Sequence, residues 1–168
     1  FPYTTLFRSF EIETSRAIGR QLLRHWTIKP QEHSQRYSYR VKFEPIELRR
    51  EHPTNRQSST EVFNPIVFQD LPASEEINDF LDHAESLYKA LIEKGVAKEC
   101  ARMILPECTT TTMTMNGSLR SWLMFLNVRC DHHSQKESVE IATLIGELLE
   151  KEMPNLFKEI EWRKGMFV

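Results

Sequence analysis

The chain has 168 residues, 40% hydrophobic and 27% charged, which suits one domain with a real core and excludes a disordered tail. A formal charge of −2 and a pI near 6.3 argue against nonspecific binding to nucleic acid or an anionic membrane, so neither partner is expected. No apolar run approaches the roughly 18 residues needed to span a bilayer, and three irregularly spaced cysteines favour a reducing compartment such as the cytoplasm over a disulfide framework.

The opening nine residues, "FPYTTLFRS", back-translate as TTT CCC TAC ACG ACG CTC TTC CGA TCT, a string that resembles a widely used short-read sequencing adapter. Residues 1–9 are therefore expected to be non-native, with the true amino-terminal segment missing. Native sequence then starts with "FEIET", whose alternation reads as the tail of a half-buried strand over Phe10–Glu13. A helix should follow, capped by Thr14 or Ser15, with Ala17, Ile18, Leu22 and Trp26 on its buried face. Pro30 would break that helix and leave Thr27 to Gln35 as an exposed loop. Alternation through Tyr37, Tyr39, Val41 and Phe43 predicts a second strand, and Arg49 to Leu71 reads as a long irregular stretch. From Ser74 an apolar stripe through Ile77, Phe80, Leu81, Ala84, Leu87, Tyr88, Leu91 and Ile92 predicts a long helix closed by Gly95. "AKECARMILP" reads as a short helix ended by Pro106, and the β-branched run Thr109 to Met115 as a strand. Leu119 to Val128, Val139 to Met153 and a last short piece near Leu156 to Trp162 read as helices. The order gives an α+β fold, a mixed or antiparallel sheet packed with helices, without repeats.

The chemistry concentrates in "RHWTIKPQEHSQRY", Arg24 to Tyr37. No glycine-rich phosphate loop exists, because the five glycines are scattered. Ser34, His25 and Asp131 could be assembled into a hydrolase triad, but nothing like a nucleophile elbow surrounds the serine. Cys130, Asp131, His132 and His133 fit no closed zinc pattern, so no metal is expected and a solvated helix boundary explains them better. Met113, Met115 and the Leu/Trp stripe read as core. Guanidinium groups pair bidentately with a phosphate, and Arg24 and Arg36 could converge on one, helped by the Ser34 hydroxyl. On spacing alone, solvated salt-bridge partners explain these arginines equally well.

The segment "RQLLRHWTIKPQEHSQRYS" resembles the signature of the flavin-dependent thymidylate synthases. "ELRREHPTNRQSS", "AKECARMILP", "NGSLRSWLMFLNVR" and "HHSQKESVEIA" resemble later parts of the same family in the same order, so the likeness runs from Phe10 to about Pro154. It implies one domain over residues 10–168 with the fold of that family, incomplete at its amino terminus. It implies reductive methylation of dUMP to dTMP, with methylenetetrahydrofolate as carbon donor, NADPH as reductant and FAD as hydride carrier. It also implies a homotetramer with active sites shared between subunits, placed in the cytoplasm, or the host's cytoplasm if the gene is viral. By motif, Gln21, Arg24, Glu32, Ser34, Arg36 and Arg102 would contact dUMP. Arg129 would contact the uracil and favour ionisation of its N3, the catalytic role. His25, Glu32, Ser118, Arg120 and His133 would lie on the flavin side. Trp26 stands where the family usually has a second arginine, and Met124 where an Asn or His is usual near the flavin; an indole there could still stack on a flat ring. Lys29 and Gln31 replace a serine and an asparagine. These departures leave open a degenerate homologue that binds a pyrimidine nucleotide without catalysis, and a relative that hydroxymethylates instead of methylating.

Overall fold

The computed structural model describes residues 7–37, 40–55, 58–68, 70–131, 133–160 and 162. The chain forms two compact units, one of residues 1–13, 18–32 and 112–168 and the other of residues 14–17 and 33–111. Helices and antiparallel strand pairs occur together, which is the α+β class read from the sequence.

The first unit is built on a three-stranded sheet of order β1 (Phe7–Ser15), β7 (Thr110–Ser118), β2 (Lys29–Glu32). β7 shows why the threonine–methionine run becomes a strand. Thr111, Met113, Met115 and Gly117 alternate inward while Thr114 and Asn116 stay exposed, the period-2 pattern of a sheet with one packed face. Two helices, α4 (Leu119–Arg129) and α5 (Lys136–Glu152), pack against each other and close a core of Met113, Met115, Trp122, Phe125, Leu126 and Leu149. Trp122 meets Phe10 edge-on at 4.8 Å and Phe125 at 5.4 Å. Its indole N–H donates to the Arg8 carbonyl at 3.1 Å, so this buried ring keeps its polar atom satisfied. A short α6 (Pro154–Phe157) follows, and Trp162 packs edge-on to Phe157.

Between β1 and β2 the chain departs from its reading as sequence. Helix α1 (Arg16–Leu22) is only seven residues long. Ile18 and Leu22 are buried as expected, but Trp26 lies beyond the helix and is 86% exposed. Nor is Thr27 to Gln35 all loop. Lys29–Glu32 pairs antiparallel with β7, with Lys29 opposite Asn116 and Glu32 opposite Met113. Pro30 is tolerated because β2 is an edge strand, where the missing N–H need not face a partner.

The second unit holds β3 (Arg49–Glu51) paired with β4 (Ser59–Val62), β5 (Ile66–Phe68) paired with β6 (Leu71–Pro72), helix α2 (Ala73–Glu93), and α3 (Lys98–Ala101) running into a 3-10 turn over Arg102–Ile104. The stretch expected to be irregular thus contains two small hairpins. The strand expected from Tyr37 to Phe43 reduces to a single bridge, Phe43 to Thr109; Ser38 and Tyr39 lie outside the described residues. Glu44 takes over locally, accepting from the Ser15 N–H at 2.8 Å and the Thr14 hydroxyl at 3.3 Å. Helix α2 ends as its glycine predicts. Val96 N–H reaches the Leu91 carbonyl and Gly95 N–H the Ile92 carbonyl, with Gly95 at φ 84°, the Schellman arrangement that only glycine adopts without strain.

Candidate active site

Ten of the candidate residues belong to the first unit: Gln21, Arg24, His25, Trp26, Glu32, Ser118, Arg120, Met124, Arg129 and His133. Ser34, Arg36 and Arg102 belong to the second.

The first group is organised by the turn that follows α1. Leu22 and Ile28, both buried, anchor its two ends, and bonds from His25 N–H to Leu22 and from Ile28 N–H to His25 fold the chain back between them. Alternate side chains then point opposite ways. Arg24 and Trp26 face solvent, while His25 turns inward and packs edge-on against Phe125 at 5.4 Å.

Arg129 approaches from the last turn of α4. Its Nη2 donates to the Gln21 carbonyl, one of the α1 acceptors that has no partner within its own helix. Its Nε is buried without any partner, and no carboxylate among the described residues pairs with it. Burial first, and Arg24 second, push the pKa of Arg129 down. The His25 pKa is likewise lowered, chiefly by burial, then by the Arg129 charge, against a contribution from the Ser121 backbone that raises it. A cation that is partly desolvated, repelled by a second cation and lacking a counter-charge is costly in isolation. The arrangement suits a ligand bearing negative charge or strong acceptor oxygens.

More unmet polar groups sit beside it. His25 Nε2 and Thr27 Oγ1 are buried without hydrogen bonds. Arg120 and Met124, four residues apart on α4, share one face, and both are exposed. Ser118 already serves as the N-cap of α4, its hydroxyl oxygen accepting from Ser121 N–H at 3.2 Å. His133 follows the helix in a turn where Asp131 Oδ1 accepts its backbone N–H at 2.7 Å and contacts its ring Nδ1 at 2.7 Å. Glu32 is half-buried in β2. Cys130, read from sequence as part of a solvated boundary, is in fact core, and His132 lies outside the described residues.

In the second unit the Arg36 backbone N–H donates to Ser34 Oγ at 3.3 Å and the Tyr37 N–H to the Ser34 carbonyl at 3.1 Å. One turn thus holds the serine hydroxyl beside the exposed Arg36. Arg102 stands separately in the 3-10 turn after α3. Sequence reasoning passed over Gln135, which accepts from Gln21 Nε2 at 2.6 Å, and Asp131 as a partner of His133. Gln135 lies in a segment quoted only as a whole, and Asp131 was weighed only for a hydrolase triad and a metal site.

Residues 5–155 match the sequence profile of the family described as Thymidylate synthase complementing protein, Thy1. The chain belongs to the Thy1 family. It is 40% identical over 157 residues to the "Flavin-dependent thymidylate synthase" of Synechocystis sp., covering 92% of this chain and 71% of that protein. It is 37% identical over 161 residues, 95% of this chain and 74% of the other, to the "Probable flavin-dependent thymidylate synthase" of Paramecium bursaria Chlorella virus 1. With the Dictyostelium discoideum protein of the same enzyme name it is 35% identical over 146 residues, 82% of this chain and 46% of that one. These Thy1 relatives are named as enzymes of thymidylate synthesis, and the fold described above is the one the Thy1 chain adopts. Among the described residues no helix is long and apolar enough to cross a membrane, and no group of three or more His, Cys, Asp or Glu comes together as metal ligands.

Proposed function

We propose that this chain converts dUMP to dTMP, taking carbon from methylenetetrahydrofolate and reducing equivalents from NADPH. The observation that carries the reading is Arg129: a half-buried guanidinium without a carboxylate, steadied on the Gln21 carbonyl, with Nε unpartnered. A fixed cation of this kind stabilises negative charge on a pyrimidine whose N3 ionises, without moving and without bonding to it. No cysteine is needed. Cys130 is sealed in the core, and burial pushes the Cys108 thiol up, away from the thiolate form that attacks carbon.

By motif, Gln21, Arg24 and Glu32 of the first unit and Ser34, Arg36 and Arg102 of the second are each assigned to dUMP contact, the arginines and the serine as groups suited to a phosphate. The residues of the first unit also fit a flavin. The partnerless His25 Nε2 and Thr27 Oγ1 are donors or acceptors awaiting a polar ligand, and exposed Trp26 and Met124 offer apolar surface for a flat ring. FAD, when bound, supplies the hydride carrier; His25, Trp26, Glu32, Ser118, Arg120, Met124 and His133 are the side chains assigned to hold it. The active form in this reading is a homotetramer with shared active sites in the cytoplasm.

Trp26, in place of a guanidinium, favours one rival: a homologue that binds the nucleotide and no longer turns it over. Mass spectrometry of the nucleotide after incubation with dUMP, FAD, NADPH and methylenetetrahydrofolate separates the cases. Methylated product supports the synthase, a hydroxymethylated nucleotide supports the related transfer, and unchanged dUMP that remains bound supports the rival.

A further inference from the structure

We infer that Lys29 is a further cofactor-binding residue, its ammonium joining Arg120 in holding the pyrophosphate of FAD; this rests on the reading of the first unit as a flavin site. The turn after α1 and helix α4 run side by side in opposite directions. Arg129, ending α4, donates to the Gln21 carbonyl, and His25 packs against Phe125, one turn earlier in the helix. Ile28 reaches Gly117, where an added Cβ would lie 3.1 Å from its Cγ1, and Lys29 stands opposite Asn116 in the sheet. Positions 21 to 29 thus follow α4 from its last turn back past its first, along a helix of 11 residues that is about 16 Å long.

The exposed groups come in a matching order. Arg120, Met124 and Val128, four residues apart, form the open stripe of α4. The pyrimidine is assigned to the Arg129 end of the helix and the flat ring to Met124 and Trp26 midway. A ring that exchanges hydride with the pyrimidine lies against it, so its phosphate-bearing tail extends away from Arg129. Beyond Arg129 the chain also presents a carboxylate, Asp131 against His133, which disfavours a phosphate there. At the opposite end stand two cations. Arg120 is exposed in the first turn of α4, and Lys29 lies on the solvent face of the sheet with its exposed cross-strand partner Asn116. Glu32 belongs to the other face of β2, opposite the core residue Met113. Neither cationic side chain makes a hydrogen bond or ion pair with another described residue. A pyrophosphate is doubly anionic, and a point charge beside a planar guanidinium fork suits it.

The test is calorimetric titration of the full chain with FAD, riboflavin and dUMP at low and high salt, for wild type, Lys29→Gln, Lys29→Arg and Arg120→Gln, with melting temperatures as the measure of folding. Glutamine removes the charge and keeps a polar side chain; arginine keeps the charge. The expected result is that Lys29→Gln and Arg120→Gln each weaken FAD by about three- to tenfold at low salt and by less at high salt. Lys29→Arg should keep the affinity, while riboflavin, which carries no phosphate, and dUMP bind the Lys29 variants as they bind wild type. A glutamine variant with wild-type FAD affinity at low salt overturns that residue's role and leaves the flavin reading standing. Equal weakening of FAD and riboflavin, or weakening of dUMP instead of FAD, overturns the assignment to the pyrophosphate. A wild-type protein that takes up no FAD overturns the flavin reading and the role of Lys29 with it.

Discussion

Arg129 and His25 share one burial, and each therefore predicts something different. Replacing Arg129 with alanine removes the fixed positive charge while leaving Arg24 and Gln21 in place. Turnover should fall by about 10²–10³-fold, the cost of deleting one preorganised stabilising group, with much of the dUMP affinity kept; steady-state kinetics beside a binding titration reads the split, and full activity would refute the role. For His25, the folded pKa lies below the ordinary 6.5 because of burial and the Arg129 charge. As pH falls, the unfolded chain takes up this proton first, so the stability contributed by neutral His25 is complete above about 6.5 and is lost as pH drops toward the lowered folded value. Thermal melts should show a smaller acid loss in His25→Gln than in wild type; equal losses would contradict it. The motifs singled out Arg129, Arg24 and His25 in the sequence, and the structure brings Arg129 within electrostatic reach of the other two. The exposure of Trp26 was not legible there, since the helical period that placed it inward stops at Leu22, and a turn bonded through its own backbone leaves no periodic trace.

At the level of elements, legibility followed the strength of the pattern. β7, α2, α4 and α5 emerge close to where periodicity set them, because each has a packed face long enough to repeat. The small strands failed for the opposite reason. Every residue of β4 and β5 is exposed, so no alternation between burial and solvent was there to read, and at β2 the proline outweighed the signal of an edge strand. The packing of α5 yields a sharper prediction. A Cβ on Gly146 would lie 2.2 to 2.6 Å from three ring atoms of Trp162, so Gly146→Ala should destabilise the protein by about 1–3 kcal/mol through overpacking. Denaturant unfolding measures this, and an unchanged midpoint would mean that the ring does not occupy that place.

Across the whole molecule, apolar surface stays uncovered in the second unit. Val62, Ile66, Val67 and Phe68 on the hairpin strands, Phe80 and Leu87 on α2 and Met103 in the 3-10 turn are all exposed. Two-stranded hairpins are marginal by themselves, and monomers seldom leave such surface to water. The proposed tetramer accounts for it, and sedimentation equilibrium should return four times the chain mass. Polar substitutions at Ile66 and Phe68 should shift the protein toward smaller species. A monomer that stays soluble at every concentration would remove the basis for shared active sites. The measurement that bears most directly on the central claim is the visible absorption spectrum of the purified protein supplied with FAD. The account predicts a flavin band that NADPH bleaches and that returns when dUMP and methylenetetrahydrofolate are added, whereas a colourless protein that cannot be loaded with FAD, yet still binds dUMP, would contradict it.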